Sequence, residues 1–187
     1  MPKYFNMSKI GQKTIPVPAG VAVTIDSSGR EISVTGPKGT MSHLLPRKLA
    51  VELKDQILTV QTKAVTQDVG ALHGLYRSII ANAVVGVVTP WQRILEVHGV
   101  GFRVAMQGTD LTLKLGFSHT VTFPTPNNIT IETKGSKITV SGCDKQKVGE
   151  VTAKIRSIKT PDKYKGKGLR YNDEIVRLKP GKKAKAA

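Results

Sequence analysis

Two stretches of this chain carry the same words 79 residues apart. Val69-Gly70 with Arg77-Ser78-Ile79 returns as Val148-Gly149 with Arg156-Ser157-Ile158. The apolar positions keep the same offset: Val148, Val151, Ile155 and Ile158 fall on Val69, Leu72, Tyr76 and Ile79. Upstream, Glu31-Ile32-Ser33-Val34 maps onto Asp110-Leu111-Thr112-Leu113. Agreement of pattern at one fixed offset marks an internal duplication. Whatever the first copy folds into, the second must fold into as well, so the 187 residues divide into two similar units.

Each copy reads as short strands followed by one helix. Val21–Ile25 and Glu31–Thr35 alternate apolar with polar, separated by a turn at Asp26-Ser27-Ser28-Gly29. Gly36-Pro37-Lys38-Gly39 is a second turn, and Lys54-Asp55-Gln56 a third, between Leu49–Leu53 and Ile57–Val60. The period then changes. Val69, Leu72, Tyr76, Ile79, Ile80, Ala83 and Val87 recur at three and four, a helical stripe starting near Thr66 as N-cap and ending before Thr89-Pro90. In the second copy, strands are expected at 94–97, 102–106, 110–115, 120–123, 129–132 and 138–140, with a helix from about Asp144. The expected fold is α+β: two tandem duplicated domains, each an antiparallel sheet with one helix packed on a face. The expected boundaries are an N-terminal extension over 1–18, a first repeat over 19–89, a second over 90–160, and a basic C-terminal segment and tail over 161–187.

Charge narrows the function. The chain carries 29 Lys+Arg against 13 Asp+Glu, a net charge of +16, which points to nucleic acid first and an anionic membrane surface second. The longest apolar run, Ala83–Val88, is too short to span a bilayer. Met1–Gln12 has no apolar core of a signal peptide, and a single cysteine, Cys143, allows no internal disulfide framework. The reading is a soluble, intracellular protein.

The basic residues concentrate in Pro161-Asp162-Lys163-Tyr164-Lys165-Gly166-Lys167-Gly168-Leu169-Arg170-Tyr171. Alternating Lys and Gly makes a poor helix, and the segment reads as unable to pack a core. It suits a polyanion. Lys163, Lys165, Lys167 and Arg170 replace counterions on phosphates, Gly166 and Gly168 let the backbone come close, and Tyr164 and Tyr171 offer flat faces to bases. Ile175-Val176-Arg177-Leu178 then alternates again, as a strand or extended docking piece. Arg177 and Lys179 extend the basic set. The residues from Lys179 to Ala187 read as disordered in the free protein.

His98-Gly99-Val100-Gly101-Phe102-Arg103 is a second candidate contact. Its two glycines begin a dinucleotide fingerprint, but Val104 stands where a third glycine belongs. It reads either as a bend at a strand junction or as a backbone approach to RNA phosphate, with Arg93, His98, Gly99, Gly101 and Arg103 contributing. Gly36–Thr40 lacks the spacing of a phosphate-binding loop and reads as a turn with Lys38 at its tip. Trp91 reads as a packing wedge and Cys143 as incidental. The four histidines, His43, His73, His98 and His119, fall in no metal-binding spacing, and His73 reads as a partly buried packing residue. No cofactor, metal or catalytic set is expected.

The run Pro161–Tyr171, followed by Asp173-Glu174-Ile175-Val176-Arg177, closely resembles the C-terminal signature of the large-subunit ribosomal protein family L-six, in its bacterial form. Met7-Ser8-Lys9-Ile10-Gly11 and Gly36-Pro37-Lys38-Gly39 are similar to that family's opening, and Met1–Asn6 reads as an extension ahead of it. The resemblance spans about residues 7 to 183. It implies the two-domain architecture and a structural role in the large subunit, bound to 23S-type rRNA near the factor-binding region and stalk base. The implied partners are that rRNA and neighbouring ribosomal proteins, with no membrane and no small-molecule substrate. The implied location is a cytoplasmic ribosome or an organelle with bacterial-type ribosomes. The rivals are a free-standing basic RNA-binding regulator and, from another class, an enzyme acting on RNA.

Overall fold

The computed structural model describes residues 8–63 and 68–181. The elements run β1 (Ile15–Pro16), β2 (Ala22–Ile25), β3 (Glu31–Gly36), β4 (Gly39–Leu44), β5 (Leu49–Lys54), β6 (Ile57–Thr62) and α1 (Val69–Gly86). The second series is β7 (Trp91–His98), β8 (Arg103–Gln107), β9 (Asp110–Lys114), β10 (Val121–Phe123), β11 (Ile129–Lys134), β12 (Lys137–Gly142), α2 (Lys145–Ile158) and β13 (Gly168–Tyr171). The described residues form two compact units that divide between Pro90 and Trp91, with residues 143–145 belonging to the first.

In the first unit the strands divide between two antiparallel sheets, β1-β6-β5 and β2-β3-β4. Two hairpins close with two-residue loops. Pro37-Lys38 sits between the pair Gly36 and Gly39, and Asp55-Gln56 between Lys54 and Ile57. Asp55 and Gln56 both have positive φ, the backbone that matches the twist of paired strands. The Pro37-Lys38 turn leads into β4, a strand the sequence reading did not assign. Ile32, Val34, Leu49 and Leu58 pack in one core with Val69, Ile80 and Val84 of α1. Thr66, the expected N-cap, lies outside the described residues. His73 is more deeply buried than expected, at 1% exposure, and its Nε2–H donates to the Val60 carbonyl at 2.9 Å.

Within the expected N-terminal extension, residues 13–16 are built into the first unit. Ile15 is 3% exposed and belongs to the first core, while β1 pairs with β6 through Ile15 and Leu58. Arg77 of α1 holds the approach, donating from Nε to the Lys13 carbonyl and from Nη2 to the Thr14 carbonyl, both at 3.1 Å.

The second unit repeats the plan and adds a strand. β10-β9-β8 form one antiparallel sheet and β11-β12-β7-β13 the other. Leu95, Val97, Leu111, Leu113, Ile138 and Val140 pack with Val148, Val151 and Ile155 of α2. Trp91 packs against this core, as its wedge reading expected. The added strand is β13, from the middle of the basic segment.

Candidate nucleic-acid interface

Strand β13 pairs antiparallel with β7, setting Gly168 opposite His98, Leu169 opposite Val97, Arg170 opposite Glu96 and Tyr171 opposite Leu95. Alternation along both strands sorts the side chains. Leu169, Leu95 and Val97 turn into the core; His98, Glu96 and Arg170 lie on the other face. This overturns one expectation. The signature segment does pack a core, through Leu169 at 0% exposure, because a single well-placed leucine makes the Lys/Gly run part of the sheet.

The pairing also unites the two candidate contacts. The turn after β7 and the segment around β13 together line a groove of about 430 Å³ through His98, Gly99, Val100, Lys165, Gly166, Lys167 and Arg170, with Val176 and Leu178 completing the lining. Thus His98 and Gly99 join Lys165, Gly166, Lys167 and Arg170 in one place. The other candidates stand elsewhere. Lys163 is exposed on the loop before β13, and Tyr164 is 59% exposed beside it. Arg103 is exposed on β8, opposite Lys114 of β9. Gly101 lines no part of the groove, and Arg177 is exposed.

The lysine-bearing loop is shaped by its own hydrogen bonds. The Gly166 N–H donates to the Asp162 carbonyl at 3.0 Å, the Asp162 N–H to the Lys167 carbonyl at 2.9 Å, and the Leu169 N–H to the Lys159 carbonyl at 2.8 Å. Asp162 Oδ2 accepts from the Lys165 N–H at 3.0 Å. The Lys179 N–H donates to the Lys163 carbonyl at 2.8 Å, tying the distal chain back to the loop.

The glycines therefore serve the loop before they serve any ligand. Gly168 has φ +149, and a Cβ there would lie 2.7 Å from the Thr160 carbonyl oxygen. Gly166 has φ +67 and is buried. Both were read as places for RNA to approach; the structure assigns Gly168 to close packing of backbone on backbone and Gly166 to the turn. The Tyr171 ring has the Arg156 guanidinium 5.5 Å away and that of Arg93 5.7 Å away, and Tyr164 is the more exposed of the two tyrosines. Ile175–Leu178 is not a strand; Ile175 is 92% exposed.

Two carboxylates set the electrostatics, and the sequence reading missed both. Glu96 accepts from His98 Nε2 at 3.0 Å and lies 3.3 Å from Lys137 Nζ and 3.8 Å from Arg170 Nη2. The His98 hydrogen bond, then that of Lys137, hold its pKa below the usual carboxylate range. Its signal was the strand alternation: Lys137, Glu96 and Arg170 occupy one cross-strand row.

Glu174 closes the turn after β13. Arg156 of α2 donates to it from Nε at 2.9 Å and from Nη2, and the Tyr171 N–H donates to Oε2 at 3.1 Å. The Arg156 hydrogen bond is the main reason its pKa lies below its ordinary 4.5. A carboxyl with a depressed folded-state pKa stabilises fully above its unfolded value and loses that contribution as pH falls through the folded one. The melting temperature is therefore expected to decline below about pH 4.5, and Glu174→Gln, melted across the same acid range, should show a shallower decline. An unchanged slope would dissociate Glu174 from the acid sensitivity.

Among the described residues no group of His, Cys, Asp or Glu could hold a metal ion, and no helix is long and apolar enough to cross a membrane.

Comparison with known proteins agrees with the duplication. The family described as Ribosomal protein L6 matches twice, over residues 17–89 and 98–172. The large ribosomal subunit protein uL6 of Roseiflexus sp. (strain RS-1) is 44% identical over 187 residues, covering 96% of this chain and 100% of the relative. That of Salinispora arenicola (strain CNS-205) is 47% identical over 181 residues, covering 96% and 99%. That of Chloroflexus aurantiacus (strain ATCC 29366 / DSM 635 / J-10-fl) is 46% identical over 187 residues, covering 96% and 100%. With two copies of the family's unit, its terminal signature and these full-length relatives, the chain belongs to the bacterial-type Ribosomal protein L6 family, whose members are structural, non-enzymatic constituents of the large ribosomal subunit.

Proposed function

We propose that this protein binds 23S-type rRNA through the basic face of its second unit and so supports the factor-binding region near the stalk base during translation, on the ribosome of a bacterial cytoplasm. The observation that carries the rRNA contact is the β7–β13 pairing. It gathers His98, Lys165, Lys167 and Arg170 from two distant parts of the chain onto one groove. Lys163 and Tyr164 stand exposed on the adjoining loop. Such a surface recognises folded RNA by the placement of its phosphates and splayed bases, since the major groove of an A-form helix is too narrow for side chains to read. The location near the stalk base rests on the family resemblance of Pro161–Tyr171.

Sedimentation of a lysate at low and at high salt tests the reading. The expected result is co-migration with the large subunit that persists through a moderate salt wash, with crosslinks from Lys163, Lys165 and Lys167 mapping to the rRNA near the stalk base. Release into the soluble fraction at low salt would overturn it in favour of a free-standing RNA-binding regulator.

A further inference from the structure

We propose that the groove between the turn after β7 and the segment around β13 is a pocket for one unstacked nucleotide of folded RNA. The proposal rests on the RNA-binding reading above and specifies the ligand of that site. The first argument is size. At about 430 Å³ the groove falls in the ~300–1,000 Å³ range of pockets that take small organic ligands. A phosphate track along a duplex needs only an open, charged surface; here there is a hollow.

The second argument is the chemistry of the walls. Its lining combines the cationic side chains of Lys165, Lys167 and Arg170 and the imidazole of His98 with the aliphatic side chains of Val100, Val176 and Leu178. Val100 is 91% exposed and Leu178 is 54% exposed, so neither contributes much to the core. A nucleotide has the same division, with a base whose faces shed water and a phosphate that needs cations. RNA presents single nucleotides in this form at bulges and loops, where bases leave the stack.

The third argument is that the pocket's polar parts are already held in place. Asp162 fixes the Lys165 and Gly166 backbone. Glu96 lies 3.0 Å from His98 Nε2 and 3.8 Å from Arg170 Nη2, so these two inner side chains have an anchor before any phosphate arrives. Groups held before binding lose less freedom on binding.

The test uses the full chain and two hairpin RNAs of one sequence. One carries a single bulged 2-aminopurine nucleotide; in the other that nucleotide is paired. The wild type should bind the bulged hairpin roughly tenfold more tightly, the scale of one base contact, with a change in 2-aminopurine emission. Val100→Ser with Leu178→Ser, both at exposed positions and checked by melting, should bring the two affinities together and remove the emission change. Equal binding of both hairpins by the wild type, with unchanged emission, would overturn the pocket while leaving the RNA-binding reading intact. Failure of the wild type to bind either hairpin or a large-subunit rRNA transcript would overturn both.

Discussion

Lys163→Ala, Lys165→Ala and Lys167→Ala together are expected to weaken binding to a large-subunit rRNA transcript on the order of 100-fold at 0.1 M salt, while the free protein melts where the wild type does. The magnitude follows from counterion release. Each phosphate contact contributes roughly 0.7–0.9 to the slope of log affinity against log salt, so three contacts weigh about two decades between 1 M and 0.1 M. The slope itself should fall by about 2. Stability should hold because the loop's shape comes from backbone hydrogen bonds and Asp162, not from these side chains, and Lys163 and Lys165 are exposed and Lys167 only half-buried, where such substitutions change stability little. Arg170 is left out deliberately. Its side chain is 31% exposed and near Glu96, so its removal would mix folding with binding. Filter binding across a salt series and thermal melting decide the matter. An unchanged salt slope would remove these lysines from the interface, and a large fall in melting temperature would make the loop structural.

Leu169→Ala should do the reverse: remove no charge, yet cost about 2–5 kcal/mol of stability. Leu169 is fully buried and belongs to the second core. It is also the only apolar side chain that β13 sends wholly inside. Truncating it leaves a cavity and removes the main reason for β13 to stay on β7. The urea midpoint should fall accordingly, and rRNA affinity should weaken even where most molecules remain folded, because His98 and Arg170 are no longer held across the groove. A loss of stability with unchanged affinity would mean that the basic loop binds RNA without its strand.

What the sequence disclosed, and what it hid, follows from the range of the interactions. The duplication was legible because both copies bury the same face of the same helix, so Val69 and Val148, or Ile32 and Leu111, face the same requirement. Turns such as Gly36–Gly39 were legible because local sterics set them. Strand β1 was hidden because two residues make too short a pattern. Strand β13 was hidden because its neighbours are lysine and glycine, and one leucine among them shows no period. Of the residues lining the groove, Lys165 and Lys167 stood out in the composition. Glu96, Val176 and Leu178 did not, because their roles depend on pairings across some seventy residues of chain, and Glu174 did not, because its partner Arg156 lies on the preceding helix. The duplicated arginine teaches the same lesson. Arg77 clasps two main-chain carbonyls while Arg156 clasps a carboxylate, so the same word has acquired different partners in the two copies.

The pairing of Gly168 with His98 also bears on the order in which the protein becomes competent during its own synthesis. The first unit and most of the second leave the ribosome well before residue 168 does, and domains fold largely in that order. Until Leu169 emerges, β7 is an open edge and the basic turn beside it faces no partner. The groove thus forms only once residues 168–171 are available to pair with β7. A polypeptide released before that point carries positive charge but lacks the assembled groove, so the strand register distinguishes finished chains from fragments at the moment of assembly.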